Sequence, residues 1–86
     1  MKRLISFDSY EASTYDVVDT LRPFGSMPGV KSMEVLAATE GSPKYCVVVE
    51  VDDEHDAALA ARVDALHRDY AMYHSNFSNR PFRKIG

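Results

Sequence analysis

The densest grouping of side chains able to move a proton is His67, Tyr70, Tyr73 and His74. A neutral imidazole at the edge of an apolar surface acts as a general base, and a phenol beside it orients a substrate or donates a proton. That is the chemistry of proton abstraction from an activated carbon, as in isomerisation or aldol-type ring closure. His67, Tyr70 and His74 are therefore the catalytic candidates, with Tyr45, Glu50, Tyr73 and Arg83 as candidate ligand contacts. Each has a plainer role as well. The tyrosines can pack in a core with their hydroxyls at the rim, and the histidines can sit on a solvated flank. Glu50 alternates with Cys46 and Val48: buried, its carboxyl would titrate high, whereas near a strand end it reaches water or a basic partner, even across a dimer. Arg83, with Arg80 and Lys84, offers a grip on a carboxylate or phosphate, or simply a solvated edge that discourages aggregation.

A metal is not expected. On one helix His67 and His74 stand about 10.5 Å apart along the axis, too far to share an ion. A single cysteine, Cys46, excludes a disulfide framework and a cysteine-based zinc cluster, and reads as a small buried hydrophobe. No motif in the chain calls for a nucleotide or another cofactor.

These residues have to be positioned by one domain, residues 1–86, because a second core would leave each about 40 residues. A 45% hydrophobic and 27% charged composition is that of a folded globule. The formal charge is −3, but its distribution is uneven. Lys2, Arg3, Arg80, Arg83 and Lys84 lie near the two ends, so the body between them holds five cations against thirteen acids, a balance of −8. Such a body argues against nucleic acid as a partner. With neither a signal peptide nor an apolar run near 18 residues, no membrane is expected and the cytoplasm is the expected location.

The periodicity predicts six elements. Met1 to Phe7 reads as a strand, followed by a helix from about Ala12 or Ser13, where Ser13 and Asp16 resemble a capping box. Tyr15, Val18 and Leu21 form its apolar stripe, and Pro23 ends it. Val30 to Thr39 and Lys44 to Asp52 read as a hairpin, the second strand rich in β-branched residues. Asp53 opens a long helix predicted to run to about His74, its first-turn acids suited to the helix dipole. Leu59, Val63, Leu66, Tyr70 and Tyr73 form its stripe, with His74 and His67 roughly 60° and 80° from the centre. Residues 76–81 read as a loop, and Phe82 to Gly86 as a short last strand.

The order βαββαβ predicts an α+β, ferredoxin-like fold: a four-stranded antiparallel sheet with both helices on one face. The first and last strands then become neighbours, which gathers the terminal cations into one strip. The uncovered face should alternate to polar if it meets water. Yet Leu36 and Ala38 on one strand, and Cys46 and Val48 on the next, oppose apolar residues on both sides. This predicts a homodimer paired through the sheet.

Pro28-Gly29-Val30 leading into a strand, the hairpin to Tyr45–Val51 and the acid-capped helix from Asp53 resemble the dimeric α+β barrel superfamily. Similar members include the stress-responsive barrel proteins, the EthD-like proteins, small polyketide cyclases and cofactor-free monooxygenases. The effector-binding domain of Lrp/AsnC regulators shares the architecture. The resemblance implies a ligand cleft between sheet and helices, worked by His, Tyr and Asn side chains. Two departures stand out. The monooxygenases use a tryptophan and this chain has none, and the cyclases place a histidine on the first strand, where only Lys2, Arg3 and Ser6 occur. The expected function is binding of an apolar organic molecule by a homodimer, with cofactor-independent proton transfer, cyclisation or oxidation. The alternative is a non-catalytic effector-binding or stress-associated module.

Overall fold

The computed structural model describes residues 1–9, 14–69 and 74–86, with the side chains of 14–17 excepted. The elements are β1 (Lys2–Ser9), α1 (Thr14–Leu21), a 3-10 turn (Arg22–Ser26), β2 (Val30–Ala37), β3 (Tyr45–Val51), α2 (Asp53–Asp69) and β4 (His74–Phe82). The strands form one antiparallel sheet in the order β2-β3-β1-β4. The expected Ser13–Asp16 cap and the Tyr15 side chain lie outside the described residues.

β3 is central because its sequence is apolar on both sides. Tyr45, Val47, Val49 and Val51 are wholly buried, and alternation turns Cys46, Val48 and Glu50 to the other face, where they are half-buried. β1 contributes Ile5 and Phe7 to the same core, and α2 closes it with Leu59 and Val63, while Leu66 packs at its margin. Leu21 and Phe24 seal the α1 end. Pro23 stands in the first positions of the 3-10 turn, where a missing amide hydrogen costs nothing.

The turn into β2 depends on a glycine. Gly29 has φ +81°, and a Cβ there would stand 2.4 Å from the His55 ring. The contact is locked by the Asp52 amide, which donates to the Gly29 carbonyl at 2.9 Å.

The last third of the chain differs from expectation. His74 does not end a helix: it opens β4, which runs through the residues read as a loop and stops at Phe82, where the last strand was expected to begin. β4 is an edge strand with a largely polar sequence. Its inward residues include Phe77 and Asn79, so it has no hydrophobic alternation to announce it. Pro81, paired with Arg3, is tolerated because the outer side of an edge strand needs no amide donor.

Arg3 is the second correction. It belongs to no surface strip but lies inside, 6% exposed, on the same strand face as Ile5 and Phe7. Its Nε and Nη2 donate to the two Asp56 carboxylate oxygens at 2.9 and 2.7 Å, and Nη1 donates to Asn79 Oδ1 at 2.9 Å. Asn79 Nδ2 in turn donates to Asp64 Oδ1 at 3.0 Å and to the Ala60 carbonyl at 3.3 Å. This chain of bonds ties β1 and β4 to α2. The guanidinium holds the Asp56 carboxyl below its ordinary pKa, outweighing the burial that opposes it.

Candidate active site at the distal end of the second helix

Helix and strand ends meet where α2 runs out. His67 lies in the last turn of α2, and His74 begins β4, paired with Ser9 at the end of β1. Their rings stack with centroids 6.2 Å apart and planes within 7°. The pair that a continuous helix would have separated by two turns is thus brought face to face by a change of element. Phe77, three residues further along β4 and just past Asn76 at φ 54°, stacks on His67 at 3.8 Å and 5°. Phe7 lies 4.7 Å from His74, and Tyr45 5.6 Å from Phe7. An aromatic row therefore runs from the open end of the helix–sheet layer into the core.

The electrostatics follow from this packing. The Nδ1 atoms of both histidines are out of reach of solvent, and that of His67 has no hydrogen-bond partner among the described residues. Burial lowers the pKa of His74 from its ordinary 6.5, and the neighbouring His67 lowers it further. His74 is accordingly a neutral imidazole at pH 7, the form able to accept a proton.

The other expected site residues are distributed more widely. Tyr70 and Tyr73 lie outside the described residues. Tyr45 is wholly buried in the core, its ring approached by Lys44 Nζ at 5.4 Å from the centroid. Glu50 stands on the uncovered face of the sheet, in register with Lys2 and Ser32. Arg83 follows β4 and lines a shallow recess on that same face with Lys2, Leu4, Phe82 and Lys84. Glu50 and Arg83 are therefore separated from the histidines by the sheet.

Phe7 and Phe77 are the residues that sequence reasoning passed over. Phe7 was legible as an inward strand residue, but Phe77 was hidden in a stretch read as a loop. A further donor set, Asp52, Glu54 and His55, places one oxygen or nitrogen from each within 4.8 Å of the others. Lys31 Nζ already occupies that corner, 3.2 Å from Asp52 Oδ1.

A solved structure now gives this geometry its setting. The chain is similar to a Dabb family protein with a ferredoxin-like fold from Mesorhizobium loti, at a TM-score of 0.69 and 18% identity. The match covers 99% of this chain and 96% of that one. The fold is ferredoxin-like. The resemblance to the stress-responsive barrel proteins holds at that level, over essentially the whole chain. No protein-family model matches the sequence, and no curated protein matches it. Among the described residues, no helix is long and apolar enough to cross a membrane.

Proposed function

We propose that the protein is a cofactor-independent acid–base module of the cytoplasm, binding an apolar organic molecule at the end of α2 and working as a homodimer. The observation that carries this reading is the His67–His74 stack, which keeps one imidazole neutral beside another inside an aromatic wall. His74 is the proton acceptor. His67 beside it makes the protonated state of His74 costly, so that His74 readily returns the proton to the substrate carbon or to water. Tyr70 is the proposed donor to the substrate oxygen as charge develops on it, with Tyr73 as a further ligand contact. The partner copy pairs through Leu36, Cys46 and Val48 on the uncovered sheet face.

The test is deuterium exchange at the α-carbon of 2-tetralone, an apolar enolisable ketone, followed by proton NMR. The intact protein is expected to accelerate exchange, and His74→Ala to reduce the acceleration by roughly 10²-fold or more, as for loss of a general base. Equal exchange by the intact protein and both histidine variants would overturn the assignment. Solution mass tests the pairing separately, because a 9.6 kDa species at micromolar concentration excludes it.

One observation favours the alternative of a non-catalytic effector-binding module. His67 packs flat on Phe77 at 3.8 Å, a contact that suits a structural imidazole as well as a reactive one. Binding of 2-tetralone with unchanged exchange in every variant would select that alternative.

A further inference from the structure

The uncovered face of the sheet carries a feature unconnected with the histidines. At its β1–β4 corner, Leu4 and Phe82 form an apolar floor, and Lys2, Arg83 and Lys84 stand around it. The recess holds about 230 Å³, below the range of roughly 300–1,000 Å³ usual for drug-sized ligands. Phe82 is 42% exposed, and Arg80 lies over its ring, 5.3 Å from the centroid.

This corner gathers three cations with no acidic partner among the described residues. Arg3, one residue from Lys2, has its charge matched by Asp56, and Asn79 accepts from its remaining nitrogen. Lys31 reaches Asp52, and Arg22 reaches Asp19. Among the described residues, no carboxylate lies within ion-pair distance of Lys2, Arg83 or Lys84. Glu50, the register partner of Lys2 on β3, makes no ion pair with it. The three cations therefore concentrate positive potential over an apolar floor, on a chain whose net charge is −3.

We infer that this corner binds a small amphipathic anion, an aromatic carboxylate of one or two rings, with its ring on Leu4 and Phe82 and its carboxylate among Lys2, Arg83 and Lys84. The apolar floor alone would take any small aromatic molecule. The cations convert it into a site that prefers an anion, because charge-assisted hydrogen bonds exceed neutral ones. Arg83 supplies a planar fork for two carboxylate oxygens, and the lysines supply point charges.

The ligand pair 1-naphthoate and 1-naphthalenemethanol tests this on the unmodified protein, since the two share a ring system and differ in charge. Binding is followed by ¹⁵N NMR shifts at Leu4, Phe82 and Arg83. Naphthoate is expected to bind roughly tenfold more tightly than the alcohol, and the triple variant Lys2→Gln/Arg83→Gln/Lys84→Gln to abolish that preference. All three changes lie on the surface, and the ligand comparison needs none of them. Equal binding of the two ligands, shifts confined to the α2 end, or undiminished naphthoate preference in the triple variant would each overturn the site. 2-Tetralone exchange in the same samples reports the histidine chemistry independently, and solution mass is read with and without naphthoate because Leu4 is the register partner of Val48 on the face proposed to pair.

Discussion

The two ends of α2 both withdraw titratable groups from water, and they do so by opposite means. At its first turn Asp56 meets Arg3, a partner of opposite charge with matching geometry, and every strong bond is made. At its last turn His67 meets His74, a group of its own kind, in a ring stack whose burial favours the neutral imidazole. The same helix and the same pair of strands, β1 and β4, frame both. A carboxylate paired with a guanidinium is held in its charged state, whereas an imidazole whose pKa burial lowers is held in the neutral form that accepts a proton. The first end therefore reads as the anchor of the fold, and the second, where we place the chemistry, is called its reactive end.

Removing the match at the anchor is expected to produce the largest effect. Asp56→Ala leaves the Arg3 guanidinium buried without its counter-ion, at a cost of about 3–5 kcal/mol. For a domain of this size that is a large share of total stability. Urea unfolding of the variant should show a collapsed midpoint with little native baseline. Arg3→Met combined with Asp56→Leu should recover most of the loss, because two apolar residues leave nothing unsatisfied. A double variant as unstable as the single one would show that the pair matters for shape and not for charge.

The anchor should also be visible in acid. The Asp56 carboxyl titrates below its ordinary 3.8 in the folded chain, so its stabilisation is complete above that value. As pH falls through the folded pKa, the contribution is lost. Denaturant midpoints between pH 2 and 5 should therefore fall steeply for the intact protein and more shallowly for Asp56→Asn. Parallel curves would remove Asp56 from the acid transition.

Much of this contrast was readable beforehand at one end only. Arg3 alternates with Ile5 and Phe7, and Asp56 precedes Leu59, Val63 and Leu66 at helical steps, so both lay on inward faces in the sequence itself. The apolar bias that makes strands and helices legible also hides an ion pair, because a charged residue is presumed to face water. The element order and the buried face of β3 were legible for the same reason. The reactive end was not. Tyr70, Tyr73 and His74 continue the helical spacing of α2, yet His74 belongs to a strand whose two phenylalanines, Phe77 and Phe82, stand five residues apart and set no period. His67 and His74 were grouped as chemistry and expected along one helix axis; the pairing of Ser9 with His74 in the sheet instead sets their rings face to face.

At the reactive end the expected effect is smaller and runs toward neutral pH. The His74 pKa lies below 6.5 in the folded chain, so between that folded value and 6.5 the unfolded chain binds more protons. Stability is thus fully present above 6.5 and declines as pH falls below it. His67→Phe keeps an aromatic surface against Phe77 but removes the neighbouring charge. Burial remains as the larger cause, so in this variant the His74 pKa should rise only part of the way toward 6.5, as measured by NMR titration of the imidazole carbons. A full return to 6.5 would mean that His67, and not burial, sets the protonation of His74. No change at all would show that His67 has no electrostatic influence on His74.

The smallest effect belongs to Asp8, which tests whether hydrogen bonding alone can hold a group as firmly as burial does. Its carboxylate accepts from Ser42 Oγ, from the Lys44 amide at 2.6 Å and from Asn76 Nδ2 at 2.8 Å, joining the β2–β3 hairpin to the bulge where β4 meets β1. These bonds, that of Ser42 first, lower its pKa much as Arg3 does for Asp56. Asp8 nevertheless lies in reach of water, which replaces each lost partner at little net cost. Asp8→Asn should leave the unfolding midpoint nearly unchanged while speeding hydrogen exchange of the Lys44 amide. A drop comparable to that of Asp56→Ala would show that the number of bonds, and not their removal from water, distinguishes the anchor from the rest of the molecule.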